Sequence, residues 1–289
     1  QNGILLHQIV YTRKILKRFH MDASYPLSSP MVVRSLDITK DPFRPCEEGE
    51  ECLPQDFPYL ATIGALMFLA ICTRPDIAFA VSLLARYSAR PTKRHWNGVK
   101  HVFRYLRGTE DLGLFYNDDC VLIGYADAGY LSDPHVGISQ TGYVFLRQGA
   151  AISWKSTKQT IVTTSSNHSE ILALHEASRE CVWLRSIDDF IRRSTGLLTT
   201  EPAPTIIYED NAACITQMQQ GYIKSDRTKH IDPKFFYTHN LIGSTIELKQ
   251  VRSSENLADL LTKALPSFTH RKLTEGIGMR KLSMLLHDT

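Results

Sequence analysis

VLIGYADAGY (residues 121–130) decides how this chain folds. Residues 121–126 are almost continuously apolar, the pattern of a central strand covered on both faces. The run stops on Asp127. A carboxylate beside so much apolar sequence is costly to bury unless something positive meets it. Strand ends are also where α/β sheets gather their ligands. Asp127 is therefore either a polar turn residue or a ligand.

Downstream, residues 143–147 and 151–155 read as a meander turning at Gln148-Gly149. Residues 161–164 lead into a long helix from about 167 to 193. A strand is expected at 205–209, a short helix at 211–219 and another helix at 229–241, with Asp232-Pro233 at its start. A last strand at 246–251 and a closing helix at 256–264, stopped by Pro266, complete an α/β layer with a mixed sheet. Upstream, residues 1–20 read as a helix, and Pro26 and Pro30 break it. Residues 35–55 are a polar loop, acidic in CEEGEEC. Helices follow at 57–71, 76–87 and 91–106, separated at Arg74-Pro75. In the third, Lys100, Arg104 and Arg107 line the face away from Trp96, Val99 and Phe103, as a solvated back or a phosphate-tracking surface.

Length and charge set bounds. At 289 residues two domains are expected, with a boundary near 110–120. The divisions are 1–115 (helical), 120–266 (α/β) and a helical tail, 267–289. The longest apolar run, 63–72, is about half of the ~20 residues a membrane helix needs. The chain opens on Gln1 without a signal peptide, which reads as a piece of something longer and not a secreted protein. Cys46, Cys52, Cys72, Cys120, Cys181 and Cys214 make no CxxC pair, which argues against zinc and for a reducing compartment. Residues 121–266 hold 14 Lys/Arg against 15 Asp/Glu, so any nucleic-acid binding must come from local patches.

Three further acids join Asp127. Glu170 lies one turn before Leu174 on the stripe Leu174, Ala177, Cys181 and Leu184, so the helix aims it at the sheet; a first-turn glutamate favoured by the helix dipole is the plainer alternative. Asp210 ends TIIYED at a helix start, as ligand or N-cap. Asp259, in NLADLL, flanks an apolar face. Phosphodiester hydrolysis needs an activated water and a stabilised leaving oxygen, and two Mg²⁺ ions about 4 Å apart supply both. Mg²⁺ takes carboxylate ligands, and converging acids repel one another unless a cation joins them. YNDD at 116–119, although it matches a polymerase metal motif, reads as a polar turn before the next strand.

At these residues the chain resembles a known family. GYADAGYLSDP, TGYVFLRQGAAISWKSTKQ, SSNHSEILALHEASRE, YEDNAACI, RTKHID and NLADLLTKALP are similar to the ribonuclease H domain of copia-type LTR retrotransposon Pol polyproteins. The stretch from YLATIGALMF to HVFRYLRGT (59–109) resembles the segment after the polymerase palm. The resemblance implies a ribonuclease H-like fold with a five-stranded mixed sheet after a mostly helical thumb- or connection-like region. It implies cleavage of RNA in RNA–DNA hybrids with two Mg²⁺ (or Mn²⁺) ions. Its acids fall on Asp127, Glu170, Asp210 and Asp259, with Asp232 as an alternative fourth. By analogy, Asp127, Glu170 and Asp210 hold one ion, and Asp127 with Asp259 the other. Family palm acids have no counterpart, so no polymerase activity is implied. The chain departs from the family pattern at Gly129 (usually Asp), at His168 and at Pro233.

Substrate contacts are expected from Ser165, Ser166 and Asn167, whose short polar groups suit a 2′-hydroxyl but equally suit N-capping. Trp154, Lys155 and Lys158 suit the DNA strand's phosphates. Lys229 and His230 are further candidates for the backbone. Expected partners are the hybrid and the rest of the reverse transcriptase, in an intracellular setting with no membrane. The rival readings are a decayed relic that binds nucleic acid or protein, and an integrase-like strand transferase, which the position of the glutamate disfavours.

Overall fold

The computed structural model describes residues 3–34, 37–118, 121–196, 203–222 and 231–287. The chain begins with strand β1 (Ile4–Leu6) and helix α1 (Ile9–Arg18). Helices α2 (Tyr59–Cys72), α3 (Ala78–Ala85) and α4 (Lys93–Gly108) follow, then β2 (Leu112–Tyr116). Arg74-Pro75 breaks α2 from α3, as the fixed proline φ requires. Arg74 is buried there, its guanidinium on Asp76 (2.7 Å) and Tyr105 donating to the same carboxylate (2.7 Å).

The sheet is built from β3 (Ile123–Asp133), β4 (Ile138–Arg147), β5 (Ala150–Lys158), β6 (Thr205–Glu209) and β7 (Ile246–Gln250), ordered β5-β4-β3-β6-β7. β3, β4 and β5 are antiparallel neighbours, whereas β6 and β7 run parallel to β3. This is the expected α/β class: a five-stranded mixed sheet after a helical region. Gln148 and Gly149 both take positive φ (55° and 76°), so the β4–β5 hairpin is a two-residue left-handed turn of the kind that matches strand twist.

Alternation along the strands feeds two apolar layers. Tyr143 and Phe145 join Ala126, Ile207 and Ile246 under Ile171, Leu174 and Cys181 of helix α5 (Ser166–Ser194), with α6 (Ala212–Gln220) and α7 (Asp232–Leu241) beside it. Val144 and Leu146, on the other face, share a core with Leu66 and Leu69 of α2 and Leu83 and Leu84 of α3. One apolar core thus joins the helical region to the sheet.

Three expectations are corrected. Residues 4–6 are a strand and not the start of a helix, because Ile4, Leu5 and Leu6 pair with Tyr116, Phe115 and Leu114. The tail is not wholly helical: between α8 (Ser267–Gly276) and α9 (Leu282–His287), β8 (Met279–Lys281) pairs with β2. Residues 256–264 are not an α-helix but a 3₁₀ segment, Leu257–Leu261. Its entry is set by Asn256, fully buried, whose Oδ1 accepts from Ala258 N (3.1 Å) and whose Nδ2 donates to Ala126 O (2.8 Å).

Candidate metal centre

Each acid is delivered by a different element. Asp127 lies in β3 opposite Gly142 of β4, 1% exposed. Gly142 is a required gap: a Cβ there would meet Thr262 Cγ2 at 2.6 Å and Leu261 Cβ at 2.9 Å. The 3₁₀ segment therefore lies directly on β4 and brings Asp259, Thr262 and Lys263 to Asp127. Thr262 Oγ1 donates to Asp127 Oδ2. Glu170 rides the first turns of α5. That end is held by Ser165, which accepts from His168 N (3.2 Å), and by Gln159 Nε2, which donates to Ser169 O (3.0 Å). Asp210 follows β6 and accepts a hydrogen bond from Ser253 Oγ.

Carboxylate oxygens fall into two groups, each closed within 4.8 Å: Asp127, Asp210 and Asp259, and Glu170, Glu209 and Asp210. All four acids expected from sequence are brought together, and Asp232 joins neither group. Asp210 belongs to both groups, and Asp127 to one.

Glu209 is an acid the sequence reading passed over. It is fully buried, and Asn211 N donates to its Oε1 (3.1 Å). The signal was present, since Thr205, Ile207 and Glu209 alternate onto the buried face of β6. Lys263 was also missed. Its Nζ lies 2.5 Å from Asp259 Oδ1 and 3.1 Å from Asp127 Oδ1. The i,i+4 spacing to Asp259 was legible, but such pairs usually lie on solvated surfaces.

Burial, then Glu209, Asp127 and Asp210, push the Glu170 carboxyl well above the usual range. Burial and Asp127 do the same to Glu209, against the Asn211 N–H. Burial and Asp127 raise Asp259 to about 7, although Lys263 pulls it down. Glu170 Oε2 and Glu209 Oε2 are buried and find no hydrogen-bond partner among the described residues. An all-carboxylate set with two orphaned oxygens fits a hard divalent cation such as Mg²⁺ or Mn²⁺.

The remaining expected contacts are more dispersed. Trp154 donates its indole N–H to Ala70 O (2.7 Å) and packs against the core that includes α2. Lys155 pairs with Glu176 (3.1 Å), and with Lys158 and Lys234 it lines a cavity of about 160 Å³. Asn167 Nδ2 donates to Gln217 (2.5 Å), and Ser166 is exposed. Lys229 and His230 lie outside the described residues. His168 bonds Thr164 Oγ1 (2.9 Å), and burial lowers its pKa. Pro233 sits in the first turn of α7, where its missing N–H has no helical partner to lose. Gly129 faces the 3₁₀ segment: a Cβ there would lie 2.8 Å from Thr262 O.

A mixed sheet with two antiparallel and two parallel pairings, carrying acids where β3, β6, α5 and the 3₁₀ segment meet, defines a ribonuclease H-like α/β protein. Over 95% of its length the chain is homologous to the retrovirus-related Pol polyproteins of copia-type transposons. That from transposon TNT 1-94 of Nicotiana tabacum is 34% identical over 276 residues. The chain spans about a fifth of the length of the Pol polyproteins it matches. The secreted RxLR effector protein 161 of Plasmopara viticola is 41% identical over 132 residues, covering 45% of this chain and 93% of that protein. Among solved structures, the N-terminal RNase H domain of a Mycobacterium tuberculosis protein aligns with 54% of this chain and 98% of its own at 14% identity, TM-score 0.37. No family model matches the chain. No helix among the described residues is long and apolar enough to cross a membrane.

Proposed function

We propose that this chain is a metal-dependent endoribonuclease that hydrolyses the RNA strand of RNA–DNA hybrids as part of a retrotransposon Pol polyprotein. The observation that carries this reading is the pair of partnerless buried oxygens on Glu170 and Glu209, set among Asp127, Asp210 and Asp259. So many carboxyl groups in one place favour a bound cation over any neutral occupant. When bound, divalent ions supply an activated water and charge stabilisation at the phosphate. Glu170, Glu209 and Asp210 would hold one ion, and Asp127, Asp210 and Asp259 a second.

The protein's own groups would do the rest. Thr262 fixes the Asp127 carboxylate and Ser253 that of Asp210, so neither has to be ordered when substrate arrives. Ser165, Ser166 and Asn167 lie one turn before Glu170, within the reach expected of groups that read a 2′-hydroxyl. Lys155, Lys158 and Lys234 would bind a phosphate of the DNA strand in their shared cavity. Residues 1–115 act in this reading as a thumb- or connection-like platform, residues 120–266 as the nuclease and 267–289 as the tail, in an intracellular setting. Digestion of a labelled RNA–DNA hybrid in Mg²⁺ tests this. The intact chain should cleave it, and Asp210→Asn should lose about a hundredfold or more, since even outer partners of metal ligands are worth 10–100-fold. An intact chain that binds hybrid without cutting it would favour the decayed relic.

A further inference from the structure

The two halves of the acid cluster differ in one respect. Glu170 and Glu209 meet no cationic side chain within hydrogen-bonding distance among the described residues, and each keeps an oxygen without a partner. Asp127 and Asp259 instead share the Lys263 ammonium, 3.1 Å from one and 2.5 Å from the other. The Lys263 side chain is 39% exposed, and its approach is set from the backbone. Its backbone N–H is bonded to Asp259 O (3.1 Å), and it lines a small gap with Pro30, Met31 and Ala80 of the N-terminal region. The ammonium is thus in direct contact with two of the three acids of that half.

We propose that Lys263 is an internal cation which occupies the Asp127–Asp259 half of the centre and makes metal loading sequential: the first ion enters at Glu170, Glu209 and Asp210, and the second enters only by displacing the Lys263 ammonium. This rests on the metal-dependent reading above. Two positive charges cannot share the same pair of carboxylates without mutual repulsion, so the second ion must displace the lysine, whereas the first feels its charge only from beyond hydrogen-bonding distance. Lys263 is in this view a positioning residue that sets the affinity of one ion and not the other. Because its neighbours include Pro30, Met31 and Ala80, the packing of the N-terminal region helps to hold the ammonium in place.

The experiment is a Mn²⁺ titration of the full chain without nucleic acid, followed by calorimetry and by electron paramagnetic resonance of the free ion. The wild-type chain should bind one ion tightly and a second at least about tenfold more weakly, within the usual range of coupling between sites. Lys263→Met should tighten the second ion by about tenfold and leave the first within about twofold, and Lys263→Arg, which keeps the charge, should retain the weak second site. Two ions of equal affinity in the wild type would overturn the proposal without recourse to a variant. One tight ion in both proteins, with the second unchanged in a folded Lys263→Met, would overturn it and leave the metal-dependent reading standing. Absence of Mn²⁺ binding in either protein would overturn both. Thermal melting of each variant without metal checks folding.

Discussion

Glu209 shows how a single side chain can be both costly and useful. It is fully buried, and only one of its oxygens is bonded among the described residues. Glu209→Gln removes the charge and keeps the shape, so the metal-free chain should melt a few degrees higher, at roughly 2–4 °C per kcal/mol for a protein of this size. The tighter Mn²⁺ site should weaken in the same variant, which a calorimetric titration reads directly. Protons and metal ions compete for the same oxygens. Glu170, Glu209 and Asp259 all have folded-state pKa values above their ordinary ones. The folded chain therefore holds protons that the unfolded chain has released, and stability is lost as pH rises through the folded values, through about 7 for Asp259. A divalent ion restores what ionisation removes. The rise in melting temperature on adding excess Mg²⁺ should accordingly grow from pH 5 to pH 8, and a gain independent of pH would contradict the assignment of these acids. Asp127, Glu170, Asp210 and Asp259 were legible because each stood out against apolar neighbours in a strand or helix pattern. Glu209 was not, because at the end of β6 it looked like one polar residue beside another, and only the face it occupies separates it from Asp210.

At the scale of elements, the 3₁₀ segment Leu257–Leu261 matters most, because it carries Asp259 and sets the approach of Lys263. Its close seat on β4 depends on Gly142. Gly142→Ala should push the segment off the strand. We expect a stability loss on the order of 1–3 kcal/mol, as for other overpacked sites, and hybrid cleavage should fall by at least about tenfold, since small misplacements of reacting groups are costly. Near-normal cleavage by this variant would mean that the segment is not what positions Asp259. Trp154 makes the opposite prediction. Its indole is tied to Ala70 at the join between β5 and α2. Trp154→Ala should therefore cost about 2 kcal/mol in denaturant unfolding, somewhat less than a fully buried tryptophan, with the hybrid affinity of the folded protein little changed. The long apolar or amphipathic elements were readable from periodicity, and α5, β5, β6 and β7 fell close to their expected places, whereas β3 runs on through Asp127 to Asp133 and β4 begins at Ile138, because small and polar residues there carry no apolar pattern. The short strands β1 and β8 were not readable. Three residues carry too little pattern, and what makes them strands is the edge of β2, more than 100 residues away from each along the chain.

Taken whole, the molecule is held together by more than its sequence order suggests. One apolar core contains Leu66 and Leu83 from the helical region, Val144 and Leu146 from the main sheet, and Leu273, Ile277 and Met279 from the tail. His270 of the tail bonds Asp76 O at 3.0 Å, beside the buried Arg74–Asp76 pair. Length pointed to two units, and nothing in the local pattern could reveal how much apolar surface they bury against each other, because that depends on which sheet face each strand residue takes. The small sheet has β2 in the middle, with β1 on one edge and β8 on the other. This has a consequence for proteolytic maturation. A single nick introduced between residues 118 and 121 would not release a freely diffusing C-terminal fragment, because strands from both fragments stay clasped around one another. The two fragments should elute together from a sizing column in native buffer and part only in denaturant, so separating the two halves would require unfastening the clasp as well as cutting the chain.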